Sequence, residues 1–341
     1  MFTKSKRILT LFVVSLTLLT CAGLTLAGTG KKPPKDDGGD GVASGQIYFL
    51  SGGPAWVMNA DGSEKTLSVA GEPSRDVHSG YRWFLQIQPT AGTFPNGDAR
   101  QEIFAVREDG VTSVQLTTDS NVKPILTHEH PRVEWATDSG TLDGKISFTG
   151  LRFDDNGNII ESGIFTALIV WDSGPSAASE SLVWSVSLFE AAPGRFEPDT
   201  FSHAWSPNGT MLVHDARSAY DLQLVDLTYN TSSFLAEGID VDWSPDGSLI
   251  AFESSDFGDL HVIDLDGGTE TKLVDGGSKG RRFTLAGSPS FSPDSKFVAY
   301  ERLKSGNADP TIDVFVIGVD GSGNSNLTSD TSDFSIPTAW R

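Results

Sequence analysis

The chain ends part-way through a sequence repeat whose other part stands near its start. The last residues run Ile336-Pro-Thr-Ala-Trp340-Arg341. Elsewhere such a residue has a set continuation: Ala204-Trp-Ser-Pro-Asn-Gly-Thr-Met-Leu-Val213, Asp242-Trp-Ser-Pro-Asp-Gly-Ser-Leu-Ile-Ala-Phe252 and Ser290-Phe-Ser-Pro-Asp-Ser-Lys-Phe-Val-Ala-Tyr300. The missing continuation appears as Gly45-Gln-Ile-Tyr-Phe-Leu-Ser51, followed by Ala55-Trp-Val-Met-Asn-Ala-Asp-Gly-Ser-Glu-Lys-Thr-Leu-Ser68. A unit shared between the two ends is what closing a ring of repeats requires. The terminal strands then complete one unit together and leave no dangling sheet edge. The expected fold is therefore all-β, a β-propeller whose N- and C-terminal strands share one blade.

The repeat count sets the blade count. The aromatic residue before Ser-Pro recurs at Trp205, Trp243, Phe291 and Trp340, at intervals of 38, 48 and 49 residues. A weaker copy opens at Trp135 (Trp-Ala-Thr-Asp-Ser-Gly140), 70 residues before Trp205. A degenerate one centres on Arg75, where Pro73–Phe84 aligns without gaps to Pro289–Tyr300. These six marks predict six blades over residues 46–341. Within the copy opened by Trp243, the runs 248–253, 259–265 and 271–274 read as strands, with Asp266-Gly-Gly268 as a turn. With the strand carrying the mark, each copy supplies four short antiparallel strands, the content of one propeller blade. Pro presets φ and Gly accepts positive φ, so Ser-Pro-Asp-Gly fits a tight turn. The aromatic mark fills the wedge between blades, and its burial is worth about 4–6 kcal/mol before opposing terms. These motif residues hold the fold and are not read as a site.

Quoted as Trp243-Ser-Pro-Asp-Gly247, Ile250-Ala-Phe252, Val57-Met-Asn-Ala-Asp-Gly-Ser63 and Asn326-Leu-Thr328, the pattern resembles the TolB-type, WD-like propeller repeat. The resemblance covers Gln46 to Trp340, strongly in the first unit and the last three, weakly in the second and third. It implies a six-bladed periplasmic binding scaffold. The α/β domain that precedes the propeller in that family has no counterpart here, so membership of its envelope complex is not implied. Related repeats also occur in the propellers of prolyl-oligopeptidase-like enzymes, whose hydrolase domain has no counterpart here either.

Residues 1–27 read as a signal peptide: Lys4, Lys6 and Arg7 precede the apolar run Ile8–Leu19, and Thr25-Leu-Ala27 approximates a cleavage site. Leu18-Leu-Thr-Cys21 offers lipidation at Cys21 as the alternative. Residues 28–45, rich in Gly, Pro and charge, read as a flexible linker. Cys21 is the only cysteine, which excludes disulfides and thiol chemistry from the exported domain. The formal charge of −20 becomes −23 when the three cations of residues 1–27 are removed. Such a surface repels nucleic acid and anionic lipid. The expected location is periplasmic or extracellular, with no membrane span after cleavage.

The unit from Trp135 to Trp205 is longer than the others and predicts an elongated blade with protruding hairpins, turning at Asp154-Asp-Asn-Gly-Asn158. Loops on a rigid scaffold carry specificity, which makes this excursion a candidate partner surface. His128-Glu129-His130 alternates two imidazoles around a carboxylate and could contribute to a metal site. No third ligand is identifiable, so these read as loop or channel-mouth histidines. If the mark-bearing strands are innermost, Glu134, His203, Asp240 and Asp242 fall near the central channel, where they could meet a small ligand or cation. Asp154–Asn158 and Asp264–Gly268 lack the terminal Glu of an EF-hand loop and read as turns. No Gly-x-Ser-x-Gly elbow, phosphate-binding loop or His-Glu-x-x-His occurs. The expectation is a monomeric, noncatalytic scaffold for a protein or envelope component, with no cofactor. The alternative is a polysaccharide-lyase-like propeller enzyme with a metal or His site in the channel.

Overall fold

A computed structural model of the chain describes residues 43–340 apart from 53–54, 69–72, 79–80, 108–110, 112, 118–120, 126–132, 135–142, 171–179, 193–194, 199–201, 217–218, 256–257, 277, 280–281, 305–310 and 330–333. The signal segment, most of the linker, Trp135 and His128-Glu129-His130 lie outside them. Among the described residues every element is a strand and every pairing is antiparallel. No described helix is long and apolar enough to cross a membrane.

The repeated turns form for a reason visible in their hydrogen bonds. In the fifth copy the Ser244 hydroxyl donates to Asp246 Oδ1 (2.7 Å) and accepts from the Leu249 N–H (2.9 Å). Asp246 Oδ1 also accepts from the Ser248 N–H at 2.9 Å, and Gly247 sits at φ 83°. The fourth copy reproduces this with Ser206, Asn208, Thr210 and Met211, and the sixth with Ser292, Asp294, Lys296 and Phe297. At the glycine position the sixth copy has Ser295, φ 61°. Its hydroxyl accepts from the Asp246 N–H of the preceding turn at 3.1 Å, which offsets the unfavourable backbone.

The first and last strands share a sheet. Gln46–Ser51 pairs with Ala55–Asn59 on one side and Ser335–Trp340 on the other, with Ile47 opposite Trp340. The Trp340 indole N–H donates to the Ser44 carbonyl (2.9 Å), and the Ser335 and Ser51 hydroxyls bond at 3.0 Å. The mark-bearing strands are in contact in chain order: His203–Trp205 with Thr231–Trp243, then Arg282–Phe291, then Ser335–Trp340, then Pro73–His78, then Val133–Glu134. Apolar clusters fill the boundaries between successive repeat units. Tyr48 meets Val106; Ile103 and Leu116 meet Phe148 and Phe165; Ile164 meets Trp205 and Val225. Val213 and Leu222 then meet Val241 and Phe252, Ala251 and Val262 meet Tyr300 and Phe315, and Val314 and Val316 meet Ile47 and Phe49. The result is a propeller arrangement of antiparallel sheets.

The expectation of six separate four-stranded blades needs correction at the level of sheets. The described strands form two sheets of four strands, two of five, one of seven and one of two. The seven-stranded sheet arises because one strand, Thr231–Trp243, serves two neighbours. Residues 231–237 pair with Asp221–Asp226, and residues 238–243 with Leu249–Ser254. The 38-residue interval from Trp205 to Trp243 is the shortest of the series, so no residues remain for a loop there. In the long third unit, Asp143–Phe153 and Ile159–Val170 form the expected hairpin, with Glu180–Ser185 beside it. A separate hairpin, Leu188–Ala192 with Arg195–Pro198, accounts for the two-stranded sheet.

Candidate functional site

Asp242 follows from the pleat of its strand: its neighbours Val241 and Trp243 pack in the core, and its carboxylate points the other way, fully buried. Oδ1 accepts from the Trp243 N–H (2.9 Å) and Oδ2 from the Phe291 N–H of the next mark-bearing strand (2.7 Å). The carboxylate thus joins two innermost strands. Asp240, three residues before the mark, is half-buried at φ 52° where the strand bulges. Its N–H donates to Asp215 Oδ2 at 3.4 Å, while Asp215 Oδ1 accepts from the Ser202 N–H at 3.0 Å. The Ser202 hydroxyl in turn accepts from the Val241 N–H at 3.0 Å. Two buried carboxylates therefore serve as acceptors for backbone groups of neighbouring segments, where an unmet N–H would be costly.

His203 is buried on the strand opposite His214. Its Nε2 lies 2.9 Å from Ser147 Oγ, which also accepts the Trp205 indole N–H at 2.9 Å. Ser147 comes from the long hairpin of the third unit, so this cluster joins that unit to the fourth. Glu134 pairs with Lys145 through the backbone in its short strand. The structure therefore brings Asp240 and Asp242 onto one strand and ties Asp240 to Asp215 and Asp242 to Phe291, whereas His203 is bound to Ser147. Among the described residues, no three His, Cys, Asp or Glu side chains gather as a metal would require.

The acids Asp215, Glu253 and Glu301 were not singled out from the sequence, although each stands ten residues after its mark, Trp205, Trp243 or Phe291. That constant offset was the available signal. The Glu253 carboxylate approaches the next innermost strand so closely that a Cβ on Gly287 would lie 2.3 Å from its Oε2. A second recurring device is the Leu-Thr pair: the buried Thr117 and Thr328 hydroxyls accept from the Ile103 and Val314 N–H groups, both at 2.9 Å.

The long hairpin does not stand alone. Tyr81–Thr93 and Ala99–Arg107 form a second one, and Phe94, Leu151 and Phe153 pack the two together. Lys123 bridges to Asp98 at 2.7 Å, and the Gly157 turn lies so close to the Pro95 carbonyl that a Cβ would come within 2.7 Å of it. Asp154 caps its own turn, accepting from the Asn156 and Asn158 N–H groups and the Asn158 amide. The hydrogen bonds from Asn158 hold its carboxyl below the usual range. Asp264 likewise accepts from the Asp266 and Gly267 N–H groups, so both acidic loops are turn chemistry.

No protein-family model matches the sequence, and no curated protein does. Among solved structures, TolB from Acinetobacter baumannii superposes with a TM-score of 0.56 at 16% identity, over 87% of this chain and 66% of that chain. The fold is a TolB-like β-propeller. The propeller thus spans about two thirds of the TolB chain it matches. A TolB-type structure from Agrobacterium tumefaciens (TM-score 0.48, 13% identity, 88% of this chain and 99% of that chain) resembles the propeller more loosely. So does a periplasmic gluconolactonase from Pseudomonas aeruginosa (TM-score 0.46, 13% identity, 82% of both chains). At these identities the likeness concerns the fold alone.

Proposed function

We propose that this TolB-like propeller is an exported, noncatalytic scaffold that binds a protein or cell-envelope component. The observation that carries the reading is Asp242: the buried acid nearest the innermost strands has both oxygens engaged by backbone N–H groups. A general acid or base needs a proton it can exchange with substrate. Asp215 is committed in the same way. His203 is buried against Ser147, which the Trp205 indole already engages.

In this reading the ring has six blades. The strand Thr231–Trp243 counts as outermost in one blade and innermost in the next, and the hairpin at 188–198 is an appendage. Six apolar boundaries between successive units favour that count. Residues 1–27 act as the signal, 28–45 as the tether, and the mature protein is a periplasmic or extracellular monomer.

The test pairs two measurements on the intact protein: turnover of polysaccharides and sugar lactones with and without chelator, and capture of partners from envelope extract. Partner capture insensitive to chelator, with no turnover, is the expected result. Chelator-sensitive cleavage of a polysaccharide would replace the scaffold with an enzyme.

A further inference from the structure

The outer half of Thr231–Trp243 is an open sheet edge. Residues 231–237 pair with Asp221–Asp226, and no described strand lies on their other side. Such edges template the addition of another strand, and proteins blunt them with shortness or charge. Other outermost strands follow that rule, apart from Glu180–Ser185, whose one charged residue is Glu180. Thr66–Leu67, Ser113–Gln115 and Ser325–Asn326 are very short. Thr269–Val274 carries Glu270 and Lys272, which pair across the strand with His261 (2.6 Å) and Asp259 (3.0 Å).

The edge at Thr231-Ser-Ser-Phe-Leu-Ala236 has no charge. Phe234 is 58% exposed, and Tyr229 just before it is 77% exposed. A bulge at Leu235 leaves Thr231–Phe234 as the straight part. Immediately beyond, Glu237 stands directly opposite Asp221. Like charges in that relation repel, and no ion pair joins either carboxylate to a described residue. An uncharged strand with an exposed ring thus ends in two adjacent acids that no cation among the described residues pairs.

We propose that this edge receives an extended, basic segment of another polypeptide by strand addition. The segment's backbone pairs along Thr231–Phe234, an apolar side chain covers Phe234, and a Lys or Arg lies between Asp221 and Glu237. Charge complementarity selects this occupant over a second copy, because two chains of formal charge −20 repel each other. Alternate side chains supply specificity while main-chain bonds supply affinity. The inference rests on the binding-scaffold reading and names the chemistry of its partner.

The experiment uses the intact protein with a short peptide of alternating Lys and Val. Two controls accompany it: an alternating Glu and Val peptide, and an N-methylated Lys-Val peptide that cannot form the ladder. The Lys-Val peptide should slow amide exchange at residues 231–234, and neither control should. Phe234→Lys, and separately the pair Asp221→Asn with Glu237→Gln, should each weaken binding by roughly tenfold. Neither variant should lower the Tm, and the double neutralisation should raise it slightly by relieving the repulsion.

Equal binding of the N-methylated peptide, or protection only elsewhere, overturns strand addition. Protection at 231–234 that grows with protein concentration alone assigns the edge to a second copy and overturns the basic partner. Turnover in the assays above would defeat the scaffold reading while leaving the exchange result standing. Unchanged exchange at 231–234 with a captured partner would defeat the edge alone.

Discussion

The turns after Trp205, Trp243 and Phe291 and the two long hairpins of residues 81–107 and 143–170 stabilise neighbouring parts of the ring by different means. In the first region a short motif is written three times, and each copy satisfies its own polar groups through a Ser hydroxyl and an Asp or Asn side chain. Fixed acceptors such as Asp242 then stitch one strand to the next. In the second region the motif has decayed. Shape does the joining there: Phe94 against Phe153, Phe148 stacked on Phe165 at 5.9 Å, and glycines where backbones nearly touch. A repeat can thus lose its signature and keep its place in the ring if long strands give it enough apolar surface.

Substitutions can break this comparison in graded steps. The largest effect is expected at Gly163, in the hairpin region, where a Cβ would lie 2.0 Å from the Trp184 carbonyl oxygen. Gly163→Ala must move backbone and should cost about 3 kcal/mol or more, read as a drop in Tm. If that variant melts like the parent, close backbone approach is not what holds the region.

Next is Asp242→Ala, in the motif region, which strands the Phe291 N–H in the core and should cost about 2–3 kcal/mol in urea unfolding. Asp242→Asn keeps one of the two acceptors and should lose less. Equal losses would show that the charge, not the hydrogen bond, matters.

Tyr300 sharpens the comparison within the motif region, since the fifth copy has Phe252 at the same offset from its mark. Tyr300→Phe forfeits the 2.9 Å bond to Asn324, worth about 1 kcal/mol. Burial raises the phenol above its ordinary value near 10, more than Asn324 and Arg302 lower it. The folded state therefore favours the protonated phenol. Its contribution is intact below pH 10 and is lost as pH rises through the shifted value. The parent should lose stability in alkali more steeply than Tyr300→Phe.

The smallest effect concerns the turn acids. Burial raises the Asp246 carboxyl, but the bonds from Ser248 and Ser244 outweigh it and leave it below the ordinary 3.8; Ser63 and Ser322 lower Asp61 and Asp320. Their contribution is present above 3.8 and is lost as pH falls through the lowered values. Asp246→Asn, which copies the fourth unit's Asn208, should leave the pH 7 midpoint nearly unchanged and shallow the acid transition. An unaltered acid limb would mean this carboxyl does not contribute to it.

Much of this was legible. Three turns, the strands after them and the hairpin turn at Asp154–Asn158 lie where the residues indicated, because Pro, Gly and short polar side chains act within a few residues of themselves. The Asp215, Glu253 and Glu301 series was also legible, but its signal was hidden among 45 acidic residues. The seven-stranded sheet was not foreseen, since nothing local tells a strand shared by two blades from two strands without a loop.

The sequence by itself determined the repeat, its period and the chemistry of its turns, all of which depend on bonds between residues close along the chain. Only the tertiary structure decided that Ser147 would engage Trp205, that Asp242 would reach Phe291, and that no described strand would pair with the outer side of Thr231–Phe234. Those outcomes depend on which strands become neighbours around the ring. Neighbourhood is set by the summed packing of every sheet and is written in no single segment.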